Sequence, residues 1–177
     1  NYRKNPEEFL SKVSQIINDE KAVKIIQHIT YDLLEDKYDN EIFTEANQKG
    51  QLGKSAISSE KGLFDFTIYD SDIERDFSEK LDSRFEVAVY VKLPSSFYIS
   101  TPVGKYNPDW AIAFRDDNIK HIYFVAETKG SNNSLQLRNI ESAKIACAHK
   151  HFEKISGDKV KYGVVSSFEE LLDIVSK

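Results

Sequence analysis

The sequence predicts an α/β fold, with a mixed central sheet flanked by helices and a helical extension at its N-terminal end. Three observations carry this reading. From Ile73 onward the patterns alternate as helix, strand, strand, strand, helix, strand, which is the order of a sheet sandwiched by helices. The strand-type runs, such as residues 85–91 and 160–165, are rich in valine and aromatic residues. The helix-type runs repeat apolar residues at three- and four-residue steps.

Taken in order, Asn5-Pro6-Glu7-Glu8 reads as a helix start, with Asn5 as N-cap, proline at the first position and acids near the positive helix end. Phe9, Val13, Ile16 and Ile17 fall on one face. A second pattern, Val23, Ile26, Ile29, Leu33 and Leu34, completes an expected helical pair. The stretch from 36 to 61 is polar and rich in turn residues, so it reads as a connector. Its Gly50-Gln51-Leu52-Gly53-Lys54-Ser55 invites comparison with a phosphate-binding loop, but that motif needs glycine where Gln48 stands. The expected division is therefore 1–62 for the helical extension and connector, and 63–177 for the core.

Within the core, residues 63–69 have the composition of a strand, and Asp70-Ser71-Asp72 supplies capping groups. Ile73, Phe77 and Leu81 form the buried stripe of the following helix, with Glu74 on its flank. Residues 85–91 form a strand, 97–99 a short extended piece, and Thr101-Pro102-Val103-Gly104 a turn. Two adjacent strands follow, around Ala111-Ile112-Ala113-Phe114 and His121-Ile122-Tyr123-Phe124-Val125, joined by the charged turn 115–118. A long helix is expected over 135–155, burying Leu137, Ile140, Ala143, Ala146 and Cys147. A last strand at 160–165 and a helix at 168–175 close the chain.

At 177 residues, one domain with an extension is the natural size. The chain has no apolar run long enough for a membrane span and no secretory-type leader. Cys147 is the single cysteine, so no internal disulfide forms and a reducing, cytoplasmic setting is expected. A net charge of −5 argues against a free-standing tight nucleic-acid binder. It leaves room for a nuclease, whose clustered carboxylates add negative charge. With no methionine and a start at Asn1, the chain reads as a portion of a longer protein.

The chemistry concentrates in Tyr106-Asn107-Pro108-Asp109-Trp110 and Val125-Ala126-Glu127-Thr128-Lys129-Gly130. Side chains alternate along a strand, so Glu127 and Lys129 share a face while Thr128 takes the other. Asp109 opens the neighbouring strand and sits beside them. Two close carboxylates raise each other's pKa unless a cation intervenes. Mg²⁺ is the natural cation, because it takes oxygen ligands, keeps waters and shares its shell with phosphate oxygens. Lys129 is then placed to orient or deprotonate a water, or to stabilise charge at phosphorus.

Pro108-Asp109 with Glu127-Thr128-Lys129 matches the PD-(D/E)xK nuclease signature. The surrounding words resemble the C-terminal endonuclease domain of the Res subunit of Type III restriction enzymes. They run from Thr101-Pro102-Val103-Gly104 through Trp110-Ala111-Ile112 and from Tyr123 to Gly130. They extend back through Glu74-Arg75-Asp76-Phe77, Leu81-Asp82 and Val91-Lys92-Leu93-Pro94, and forward through Ile140-Glu141-Ser142-Ala143-Lys144 and His151-Phe152. A less specific match reaches His28-Ile29-Thr30-Tyr31-Asp32.

The resemblance implies a restriction-endonuclease-like core and Mg²⁺-dependent cleavage of double-stranded DNA, with Mn²⁺ as a substitute. It makes Asp109, Glu127 and Lys129 catalytic. Asp109, Glu127 and the Thr128 backbone carbonyl would hold the metal, and some relatives of the fold add an acid on the helix before the sheet, here Glu74. ATP would act only in the full-length enzyme, whose upstream helicase domains and modification (methyltransferase) subunit are the expected partners. Arg138, Lys144 and Lys150 are candidate phosphate contacts. The alternative is a non-catalytic docking domain that links the helicase to the modification subunit or to DNA.

Overall fold

A computed structural model describes residues 4–32, 54–115, 123–128, 135–156 and 160–176, with backbone alone at 123–128, 135–139 and 156. Helix α1 spans Pro6–His28. The Asn5 carboxamide caps it, its Oδ1 accepting the Glu8 N–H at 3.1 Å. The expected helical pair is instead one continuous helix. The linking residues Asn18-Asp19-Glu20-Lys21-Ala22 contain no glycine or proline, so nothing stops propagation between the two patterns. The helix ends where Ile29 turns extended. Three carbonyls of that end, from Ile26, Gln27 and Ile29, accept from the Lys150 ammonium at 2.7, 3.1 and 3.4 Å. A cation there satisfies carbonyls that have no partner within the helix.

Strands β1, Ala56–Ser58, and β2, Phe66–Ile68, pair antiparallel, so a short strand lies inside the stretch read as connector. The ladder runs across position 62. The hairpin is tied down by Asp82. Its Oδ1 accepts from the N–H of Lys61, the N–H of Glu60 and the Ser59 hydroxyl, at 2.8, 3.0 and 2.8 Å. Gly62 sits inside this clamp, where an added Cβ would lie 2.5 Å from Ser59 Oγ and 2.9 Å from the Phe64 carbonyl oxygen.

Helix α2, Asp72–Ser83, starts at Ser71, whose hydroxyl accepts the Glu74 N–H at 3.2 Å. Phe77 and Leu81 are buried as expected, but Ile73 is 40% exposed. Strand β3 is Val87–Lys92, starting later than the pattern suggested, with Phe85 exposed. Strands β4, Ile99–Thr101, and β5, Gly104–Tyr106, form a hairpin whose tip glycine takes φ +108. Residues with a Cβ rarely adopt that angle.

Strands β6, Trp110–Phe114, and β7, Tyr123–Thr128, precede helix α3, Leu135–Ser156. Strand β8, Val160–Val165, and helix α4, Phe168–Val175, complete the described chain. The described residues form a four-stranded mixed sheet, ordered β3-β6-β7-β8. Its first two pairings are antiparallel and β7 runs parallel to β8. A parallel neighbour needs a crossover, which α3 provides.

Alternation along β6 sorts the two cores. Trp110 and Ile112 pack with Phe77, Leu81, Phe168 and Leu171, on the face that α2 and α4 cover. Ala111 and Val91 join Leu93, Ile99, Tyr106, Ala148, Phe152 and Tyr162, on the face covered by α3 and the β4–β5 hairpin. Fully burying one such aliphatic or aromatic side chain contributes about 1.5–3 kcal/mol. Cys147 is wholly buried on α3, a packing residue. Among the described residues, no helix is long and apolar enough to cross a membrane.

Candidate active site

The turn that delivers Asp109 is fixed from several sides. The Asn107 carboxamide donates to the carbonyls of Ser95 and Phe97, at 2.9 and 2.6 Å. Pro108 is fully buried and presets its own φ. The Tyr106 and Tyr162 hydroxyls hydrogen-bond to each other, tying the turn to β8. Trp110, with no exposed surface, packs its ring against Phe77 and Tyr90 at centroid distances of 5.8 and 6.1 Å. The indole after the acid is thus an anchor in the core, as its position opposite Asp109 in the alternation implied.

Asp109 is partly exposed, and its carbonyl accepts the Leu93 N–H at 2.8 Å. On the other side, β6 and β7 pair through Trp110↔Ala126. One step further along both strands stand Asp109 and Glu127. The backbone of Glu127 is also in register with Val164, and that of Thr128 with Val165. The fold therefore brings the backbone positions of Asp109 and Glu127 together at one end of the central strands. Thr128 is the last residue of β7. Lys129 lies outside the described residues, as does the Arg138 side chain. Among the described residues, no group of three His, Cys, Asp or Glu side chains is arranged to hold a metal.

Glu74 has a partner that the sequence did not announce. The Lys92 ammonium lies 2.6 Å from Glu74 Oε2 and 2.6 Å from Asp70 Oδ2. The same Glu74 oxygen accepts the Asp70 N–H at 2.7 Å. The Lys92 and Glu74 side chains are each 13% exposed, whereas Asp70 is 81% exposed. Burial alone would pull the Lys92 pKa down. Hydrogen bonds to Asp70 and Glu74, with their charges, outweigh it and leave the pKa raised. Strand alternation was the available signal. Lys92 shares a face with the buried Tyr90, and an inward-facing ammonium requires a counter-charge.

The three basic candidates separate. Lys150 is engaged with the end of α1. Lys144 is half-buried on α3, its side chain beside the hairpin glycine Gly104. His149 and His151 on the same helix have pKa values lowered by burial.

A mixed sheet covered on both faces by helices is the layout of a restriction-endonuclease-like domain. The family model described as "Endonuclease domain" matches residues 60–168. That is more than half of the chain, and the chain belongs to this family of nucleases. The match takes in Asp109, Glu127 and Lys129, and it begins after α1. No curated protein and no solved structure matches the chain at a significant level.

Proposed function

We propose that this chain is the DNA-cleaving module of a Type III restriction enzyme, a cytoplasmic Mg²⁺-dependent endonuclease. The carrying observation is the β6–β7 register, whose end pair Trp110↔Ala126 stands next in sequence to Asp109 and Glu127. Directly opposed residues on antiparallel neighbours have Cβ atoms about 4.5–5.5 Å apart, a spacing suited to two carboxylates sharing one ion. The donor set fits Mg²⁺, since Asp109, Glu127 and the Thr128 carbonyl offer only oxygen. When bound, the ion supplies an activated water and polarises a phosphoryl oxygen.

The backbone of Asp109 is held between buried Pro108 and Trp110 and by the Leu93 N–H. Lys129 follows β7 by one residue and would steady the water or the charge growing on phosphate. A preorganised donor of this kind contributes about 2.7–4 kcal/mol to the transition state. ATP hydrolysis and target reading fall to the helicase domains and the modification subunit.

The test uses the full-length enzyme with its modification subunit, two-site DNA, ATP and Mg²⁺. Asp109→Asn and Lys129→Ala should abolish cleavage while ATP hydrolysis continues. Cleavage at the wild-type rate in Lys129→Ala would rule out this site as the nuclease.

The docking reading draws on α1, which buries Ala22 and Ile26 but leaves Phe9, Leu10, Ile16 and Ile17 exposed. Loss of subunit association, with cleavage otherwise intact, on replacing those four by polar residues would support that role for the extension alone.

A further inference from the structure

We infer that the β4–β5 hairpin is a contact element for the phosphate backbone of duplex DNA, using Lys105 and Lys144 on either side of Gly104. The inference rests on the nuclease reading and adds to it a surface next to the candidate acids.

Between Lys92 and Asp109 the chain carries one charged residue, Lys105, although 30% of the whole chain is charged. This stretch contains no carboxylate. Its exposed hydroxyl-bearing residues include Ser95 and Ser100. Hydroxyls, amides, backbone N–H groups and lysines are what proteins present to phosphate and sugar oxygens. In a chain of net charge −5, a stretch without acids is one that a polyanion approaches with less repulsion.

The geometry directs this surface. The Lys105 ammonium rests 3.7 Å from the centroid of the Tyr98 ring, a contact that steadies the cation without neutralising it. Gly104 and Lys105 are exposed. A Cβ on Gly104 would meet only the Lys144 side chain, at 4.0 Å, so two lysines from different elements flank a side-chain-free tip. Strand β5 then leads through Asn107 and Pro108 into Asp109. The hairpin packs on the α3 face of the sheet, the face to which alternation from Ala111 assigns position 109.

The test is equilibrium binding of the full chain to a short fluorescein-labelled DNA duplex, with Ca²⁺ replacing Mg²⁺, over a series of salt concentrations. Each phosphate contact adds about 0.9 to the slope of log affinity against log salt. Lys105→Ala and Lys144→Ala should each lower that slope by about 1 and weaken binding severalfold, regardless of sequence. Lys105→Arg should restore both, and Lys12→Ala on α1 should change neither.

Unchanged slopes in the hairpin variants, an equal loss in Lys12→Ala, or no duplex binding by the unaltered chain would each overturn the inference. The nuclease reading fails separately. Binding through Lys105 and Lys144, with no cutting by the full-length enzyme in Mg²⁺, sinks the nuclease and leaves the hairpin. Cutting with unaltered slopes does the reverse.

Discussion

The Leu93 N–H donates to the Asp109 carbonyl at 2.8 Å, one step beyond the rung where Lys92 faces Trp110. The acid is therefore tied to the end of β3 as well as to β6. Whatever secures the end of β3 also secures the acid's backbone. The Lys92 ion pairs to Asp70 and Glu74 do so by joining β3 to the start of α2.

Replacing Lys92 by methionine should destabilise the fold by about 1–3 kcal/mol. Breaking a buried pair costs about 3–5 kcal/mol because it strands the remaining charge. The exposure of Asp70 brings this value down, since solvent screens that partner. Because the Lys92 pKa is raised in the folded state, its contribution is fully present below the ordinary lysine value. It is lost as pH rises through the raised one. Urea unfolding of both proteins should show a constant gap at neutral pH that closes at strongly alkaline pH.

The Asp82 clamp has the opposite pH signature. Burial alone would raise its pKa, but the N–H groups of Lys61 and Glu60, with the Ser59 and Tyr90 hydroxyls, hold it below the usual value. Its stabilisation is present above the unfolded aspartate pKa and is lost as pH falls through the lowered one. Asp82→Ala leaves these donors without their acceptor and should cost about 1–3 kcal/mol at neutral pH. Thermal melts taken from neutral to acid pH should show the wild-type advantage shrinking to nothing.

Gly62→Ala should also destabilise, by about 1–3 kcal/mol, as overpacking does elsewhere. The serine hydroxyl 2.5 Å from the new Cβ can rotate, but the Phe64 carbonyl at 2.9 Å is backbone. Shifting it disturbs the segment in which Leu63 N–H donates to the Tyr90 carbonyl. A lower urea midpoint with an unchanged slope would be the measurement. A midpoint equal to wild type would show that the loop yields freely.

These two clamps mark where the sequence was readable and where it was not. Phe77, Leu81 and Cys147 were legible as core because their periodicity alone puts them on covered faces. That the strands after Asp109 and before Thr128 are neighbours was legible, because each is an apolar run beside the other in sequence. Strand β1 was not, since Ala56–Ser58 is three residues in a polar stretch and acquires its extended form only by pairing with β2. The roles of Lys92 and Lys150 were hidden for a related reason. Each is set by a partner distant in sequence, Lys92 on Glu74 and Lys150 on the end of α1. Spacing within one element can put Lys92 on a covered face, but it cannot name the partner.

Cys147 should be inert in the folded protein. It is fully buried, and burial pushes its thiol pKa up, despite a hydrogen bond with Tyr31 and the charge of Lys150. The thiolate is the reactive species, so a disulfide reagent should titrate no thiol in the native chain and one per chain in denaturant. Rapid native reaction would mean that α3 and the segment around Tyr31 separate readily.

Glu74 provides the sharpest division between scaffold and site. Its Oε2 already receives the Lys92 ammonium and the Asp70 N–H, and α2 covers the face of the sheet opposite the one assigned to position 109. Glu74→Gln should therefore lower the melting temperature, because an amide is a weaker partner for the ammonium. The Mn²⁺ concentration for half-maximal cleavage by the full-length enzyme should stay as in wild type. Asp109→Asn should do the reverse, keeping the melting temperature near wild type and abolishing cleavage at every Mn²⁺ concentration. Calorimetric titration with Mn²⁺ gives a second reading free of turnover, with binding retained in Glu74→Gln and lost in Asp109→Asn. If Glu74→Gln instead weakens Mn²⁺ binding at unchanged stability, the carboxylate belongs to the metal site and the Lys92 pair must open when the ion binds.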